Sequence, residues 1–250
     1  MLSHEVRILF SKEWRQLLRS RAAVATSFLL PILLLLVIPA IQFAAATAAR
    51  GKPASGSVPS YLPGLADFGN DPLKMLPLLV LPLLVSVTGL TLPSVAGSYT
   101  LIAERESRTI ELLVALPVRI GEILLAKLLA ILLLAGLITV PLLAIDAVLL
   151  LATGTGTIAF ALSLFVVLAG ALAYSTSSAL LVSLLARDYR AAQNVIGALL
   201  APSILVTSLF VLFVPGGALK LAGLGLVFAG AAAAVAAVAV RVVTFERLLR

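Results

Sequence analysis

Long apolar runs separated by short charged or small-polar segments make up most of the chain after residue 22. A transmembrane α-helix needs about 20 mostly apolar residues, and each run reaches that length. The pattern therefore predicts an all-α membrane protein with six transmembrane helices in one domain over 22–240, preceded by a segment 1–21 and followed by a tail 241–250. The predicted spans are about 22–46, 75–101, 123–151, 157–186, 191–214 and 221–240.

Two breaks and one long run define this division. The threonine–glycine segment 153–157 separates the third span from the fourth, and Pro215-Gly216-Gly217 turns the chain between the last two. The first run begins after Arg21 and is much longer than the apolar core of a signal peptide, which has 7–15 residues. We therefore expect the first span to be a retained membrane anchor.

Composition narrows the chemistry. The chain is 62% hydrophobic and 12% charged, whereas a soluble domain has about 25% charged residues, so a soluble enzyme is excluded. The sequence has no cysteine, which excludes disulfides, iron–sulfur clusters and thiol catalysis. The single histidine is His4, outside the spans. We therefore expect no metal site and no histidine-based catalysis inside the membrane.

The basic residues indicate the orientation. With six spans, the 18 Lys and Arg residues divide 14 to 4 between the two sides, and the side with both chain ends holds the 14. Positive residues accumulate on the cytoplasmic side, so both termini are predicted to be cytoplasmic. The net charge of +7 is then explained by topology, and we expect no nucleic-acid partner.

Residues 3–20 form an amphipathic pattern at 100° per residue. A basic face lies opposite an aliphatic and aromatic face, which is typical of a helix lying in the membrane interface in contact with lipid. A plain topogenic anchor explains the periodicity equally well. Glu13 falls inside the apolar arc, so we expect it to have a partner other than lipid. The apolar arc holds Val6, Leu9, Phe10, Trp14 and Leu17.

Charged residues concentrate in the segment between the second and third spans, 104–122. Glu104 and Arg108 form an i,i+4 pair of the favoured polarity, and Ile110 and Leu113 belong to a short apolar face. Pro117 is expected to end the helix. A short amphipathic helix on the cytoplasmic side suggests a docking element, although a solvated connecting loop is the alternative.

This segment and the N-terminal region resemble the ATP-binding-cassette type-2 permease family, the membrane subunits of ABC exporters. The layout is closest to compact sodium- or drug-export permeases, with haem-export permeases as a second relative. The sequence departs from the family pattern at Arg108, Leu116 and Ala126. The residues that carry the resemblance are Glu104-Arg105-Glu106, Thr109-Ile110-Glu111, Leu112-Leu113, Pro117-Val118, Glu122, Lys127, Lys12-Glu13-Trp14 and Pro31.

The resemblance implies a dimer of permease subunits in a prokaryotic plasma membrane, with ABC ATPase subunits below it that bind ATP and Mg. It implies that the interfacial helix, with Phe10, Glu13 and Trp14, lies beside a coupling helix that contacts the ATPase. The sequence has no Gly-x4-Gly-Lys-Ser/Thr phosphate loop, so this chain is expected to bind no cofactor and to depend on that partner. The implied coupling residues are Glu104, Glu106, Thr109, Ile110, Glu111, Leu113 and Pro117.

Some polar residues inside the spans are candidates for a transport path. Asp146 is the ionisable group well inside an apolar run, and it is either an interfacial carboxylate near the outer surface or a group for substrate exit or ion binding. Two further segments are the hydroxyl-rich part of the fourth span and the start of the fifth span. Their polar side chains either line a cavity or make ordinary interhelical contacts. These further candidates are Tyr174, Ser175, Ser178 and Asn194.

Two other function classes remain as alternatives. A secondary transporter driven by an ion gradient would be expected to carry buried charges near the midplane and inverted repeats. A membrane assembly factor without transport is the other.

In the last span, Gly225–Ala229 and Gly230–Ala234 have a four-residue spacing that favours close helix packing.

Overall fold

The computed structural model describes residues 4–19, 28–48, 72–106, 120–186 and 189–242, and near some helix ends it describes the backbone alone. All regular structure in these ranges is helical, which confirms the prediction of an all-α protein for this part of the chain. The helices are α1 His4–Arg19, α2 28–48, α3 Pro72–Glu106, α4 Ile120–Ala152, α5 Ile158–Leu185, α6 Tyr189–Phe213 and α7 Gly217–Val242.

Five helices in the described ranges, α2, α4, α5, α6 and α7, are long and apolar enough to cross a membrane. The longest helix, α3, has 35 residues, but its apolar segment within the described side chains is the shorter Leu78–Ser94. Several helices run past the predicted spans, and α3 extends beyond 75–101 at both ends. Intrahelical hydrogen bonds continue where the apolar run stops, so a charged residue ends a span without ending its helix.

The α2 helix contains a π-helical turn, Leu33–Val37, which the sequence did not predict. The backbone N–H of Ile38 donates to the carbonyl oxygen of Leu33, five residues back. The wide turn follows shortly after Pro31, whose nitrogen has no hydrogen to donate. Leu35 in this turn is fully buried, and the turn contacts both α3 and α4.

The threonine–glycine break lies where predicted, between α4 and α5. Gly154 has a φ of 65°, in the left-handed region that favours glycine. The Thr153 hydroxyl donates to the Leu149 carbonyl at 2.7 Å, and the Thr157 hydroxyl accepts from the Phe160 N–H at 3.2 Å. These bonds satisfy a backbone carbonyl at the end of α4 and a backbone N–H at the start of α5, so the break is an ordered turn that caps both helices.

A glycine pair and a lysine form the connection between α6 and α7. Gly216 and Gly217 have φ values of 126° and 48°. The Lys220 ammonium group is buried and donates to the carbonyls of Val211 at 3.1 Å and Val214 at 2.8 Å. A cation on the last carbonyls of a helix compensates their unpaired oxygens and the negative end of the helix dipole.

The α5 helix lies at the centre and contacts α3, α4, α6 and α7. Small residues allow the closest approaches. A Cβ built on Gly225 of α7 would lie 2.6 Å from the backbone carbonyl of Val166 in α5, while Gly230 has open space. The predicted close packing is therefore found at Gly225 and not at Gly230. On its other side, α5 places Ala171 and Ala179 against glycines of α3.

Candidate functional site

The apolar face of α1 packs on protein. Leu9 is buried beside Ala126 of α4. The rings of Phe10 and Trp14 are stacked, with centroids 6.3 Å apart, and they contact buried side chains near the start of α4 and the end of α5. The amphipathic pattern is thus confirmed for the described side chains. Phe10 and Trp14 remain partly exposed beside α4 and α5, and contact of this face with lipid stays a prediction.

Glu13 has a cationic partner in a transmembrane helix. Its side-chain oxygen Oε2 lies 2.9 Å from Nζ of Lys127 in α4. Glu13 is 2% exposed and Lys127 is 1% exposed, so protein surrounds both charges. The Lys12 ammonium lies 3.7 Å from the other oxygen of the same carboxylate, but its side chain is 43% exposed. The expectation of a partner other than lipid for Glu13 is confirmed.

The burial makes the two ion pairs of Glu13 energetically different. An exposed pair such as the one with Lys12 contributes about 0–1 kcal/mol, because water and salt screen it. The pair with Lys127 is shielded from water, so each charge depends on the other to offset its lost hydration. Removing either member takes away the closest opposite charge of a buried group.

The sequence alone did not identify Lys127 as the partner. In the sequence, Lys127 appeared only among the residues that carry the family resemblance. The signal that could have identified it was the presence of two opposite charges, each in an otherwise apolar segment. Glu13 lies in an apolar arc and Lys127 inside an apolar run, and buried charges in proteins are paired.

The predicted coupling segment is described only at its start. Glu104 and Glu106 lie in the last turn of α3, where the structure gives the helical backbone. The remaining predicted coupling residues, and the helix predicted around them, lie outside the described residues. They are Thr109, Ile110, Glu111, Leu113 and Pro117.

Asp146 is enclosed by protein. It is 1% exposed, and its Oδ2 makes no hydrogen bond to any described residue. It lies on the buried face of α4 between Leu143 and Leu150, both fully buried. Protein therefore surrounds this carboxyl group, and the interfacial position and the role in substrate exit or ion binding both stay predictions.

The hydroxyl-rich residues of α5 point in different directions. The Ser175 hydroxyl donates to the Leu90 carbonyl of α3. Tyr174 faces α6 and α7, with its hydroxyl 3.4 Å from that of Ser203 and its ring stacked on Phe228 at 5.8 Å. These contacts join helices and do not converge on one cavity.

The other two path candidates differ in burial. Ser178 is buried, and its hydroxyl has no hydrogen-bond partner among the described residues. Asn194, near the start of α6, is exposed. In the described part of the chain, no three His, Asp or Glu side chains come together as metal ligands would.

A family model matches most of the chain, including the helices described above. The sequence model of a family described as "ABC-2 family transporter protein" matches residues 7–224. The chain belongs to the ABC-2 transporter family. No curated protein and no solved structure matches the chain. The match begins within α1, so most of this helix belongs to the matched region.

Membership of the ABC-2 family agrees with the apolar helices of the structure. The chain is an integral membrane protein and a permease, with transmembrane transport as its role. Proteins of this family are membrane components of transport systems and are not themselves catalytic, and in general they have an ABC ATPase as partner. The matched region includes Glu13, Lys127 and Asp146.

Proposed function

We propose that this ABC-2 family protein is the permease subunit of an ATP-driven exporter. Two copies, or this chain and a homologue, form the substrate path, and a separate ATPase binds ATP and Mg. The family match over residues 7–224 carries the proposal, because it extends from α1 into α7. The absence of a phosphate-loop motif from the sequence supports this division of labour.

The proposed topology has six spans, with α3 as the second, and places both termini in the cytoplasm. The packing supports it. α1 contacts the start of α4 and the end of α5, and one apolar cavity is lined by Leu124, Ser177 and Ala239. The start of α4, the end of α5 and the end of α7 are therefore at the same end of the bundle as α1. The 14-to-4 distribution of basic residues makes that end cytoplasmic.

Reporter fusions test the topology. A cytoplasmic reporter after Arg250 should be active, and an export-dependent reporter within 52–70 should be active. A C-terminal reporter that is active only outside the cytoplasm would contradict the assignment.

Co-purification tests the division of labour. The chain purified alone should hydrolyse no ATP, whereas the complex isolated from native membranes should contain an ABC ATPase and hydrolyse ATP. Sustained hydrolysis by the chain alone would contradict the proposal. If no ATPase co-purifies, an ion-driven transporter or an assembly factor becomes the better explanation.

The loop variants test the coupling role. In the proposal, Ile110 and Leu113 are apolar anchors on the ATPase and Glu111 meets a basic group there. Glu111→Lys should place like charges together and reduce the amount of ATPase recovered with the permease. Lys52→Glu is the matched control, because it reverses a charge on the opposite side of the membrane. Equal recovery for Glu111→Lys, Ile110→Ala, Leu113→Ala and the control would make this segment a plain connector.

A further inference from the structure

The ion pair between Glu13 and Lys127 lies at an unusual place in the molecule. Lys127 is the largest fully buried side chain among the described residues. It lies in α4 about 10 Å from Ile120, the first residue of that helix, at 1.5 Å per residue. Its partner belongs to α1, which precedes α2, the first described helix that is long and apolar enough to cross a membrane. The pair therefore links the cytoplasmic helix directly to a transmembrane span.

The apolar contacts around the pair do not by themselves fix one position of α1. Leu9, Phe10 and Trp14 contact aliphatic side chains of α4 and α5, and such contacts are non-directional. A sliding helix would exchange one apolar contact for another at small cost. Separating the two buried charges is costlier, because it breaks a 2.9 Å ion pair in a place that water does not reach.

We propose that Glu13 and Lys127 form a positioning pair that makes α1 and the cytoplasmic half of α4 move as one body. This inference rests on the proposed function, in which the ATPase drives the cytoplasmic ends of the spans. The cytoplasmic end of α5 contacts this body through Leu180 and Leu184, which pack in the cluster that contacts Phe10 and Trp14. A displacement of α1 would thus be passed to α4 through the ion pair, and the apolar contacts with α5 would adjust to it.

Distances between spin labels test the inference, and a chain without cysteine needs no background removal. Labels at Ser11→Cys in α1 and Leu133→Cys in α4 use two exposed positions. In the complex with its co-purified ATPase, with labelled copies diluted by unlabelled ones, the wild-type pair should give a narrow distribution of the distance within one chain. That distribution should be the same without nucleotide and after trapping with ATP and vanadate.

Four variants separate a positioning role from a packing role. Glu13→Gln keeps the shape but removes the negative charge that faces Lys127, and it should broaden the distribution and shift its maximum. The exchange Glu13→Lys with Lys127→Glu should restore the narrow distribution. The apolar pair Glu13→Leu with Lys127→Met should keep the protein folded and monodisperse while the distribution stays broad. Lys12→Gln removes the exposed cation beside the same carboxylate and should leave the distribution narrow.

Two results overturn the inference. One is a narrow, nucleotide-independent distribution in Glu13→Gln or in the apolar pair, which would show that apolar packing alone positions α1. The other is a wild-type distance that changes between the nucleotide-free and trapped states. Failure of the proposed function is distinguishable, because it appears as the absence of a co-purifying ATPase. The nucleotide-free distances of the five proteins then still decide whether the pair holds α1.

Discussion

Replacing Gly225 by alanine would place a methyl group where the backbone of α5 already lies. The new Cβ would be 2.6 Å from the carbonyl carbon and oxygen of Val166 and 2.8 Å from the nitrogen of Val167. Non-bonded carbons are at their optimum at about 3.5–4.0 Å, so the two helices must separate by roughly 0.9 Å at the crossing. A flexible side chain could rotate away, but these obstacles are backbone atoms.

The expected cost exceeds the gain in helix propensity. Alanine in place of glycine in an exposed helix interior stabilises by about 0.8–1.0 kcal/mol. Overpacking typically costs about 1–3 kcal/mol, and separating α5 from α7 also loosens the contacts around Gly170. We therefore expect Gly225→Ala to lower stability by up to about 2 kcal/mol, and each kcal/mol corresponds to about 2–4 °C of Tm for a chain of this length. Gly225→Val should be worse.

Gly230→Ala is the matched control, because it makes the same change in the same helix where a Cβ has open space. The assay is the temperature at which the detergent-solubilised protein loses its monodisperse peak. Gly230→Ala should have the midpoint temperature of the wild type or a slightly higher one. Gly225→Ala should have a midpoint below those of the wild type and Gly230→Ala. Equal midpoints for the two variants would refute the close crossing of α5 and α7.

Three further predictions use the same thermal assay. Lys220→Met should lower the midpoint by several degrees, because the two carbonyls at the end of α6 lose their donor, and an unchanged midpoint would show that this cap contributes nothing. Ser175→Ala should cost about 1 kcal/mol through its interhelical hydrogen bond, whereas Ser178→Ala, whose hydroxyl has no partner among the described residues, should be neutral; equal effects would contradict this. Asp146→Asn should not destabilise the protein, because no described residue donates to its Oδ2, and a loss of several degrees would reveal a cationic partner.

The helices themselves could be predicted from the sequence. Apolar runs of sufficient length need only local information, since every backbone group inside a membrane must be satisfied within its own helix. The same holds for the turn at Gly154 and for the amphipathic pattern of α1, because these depend on residues close together in the chain. The ends of the helices were predicted less accurately, because backbone hydrogen bonds continue past the last apolar residue.

The partners of the polar groups could not be predicted, because they come from distant parts of the chain. Periodicity placed Glu13 in an apolar arc and therefore required a partner, but tertiary packing selected Lys127. Hydropathy allowed Asp146 to be interfacial, and only the packing of neighbouring helices showed that protein encloses it. Lys220 was only one of the four basic residues assigned to the side opposite the termini, and the structure shows that it caps α6. Length and hydropathy determine that these segments cross a membrane, whereas the pairing of buried charges depends on distances that exist only after the helices pack.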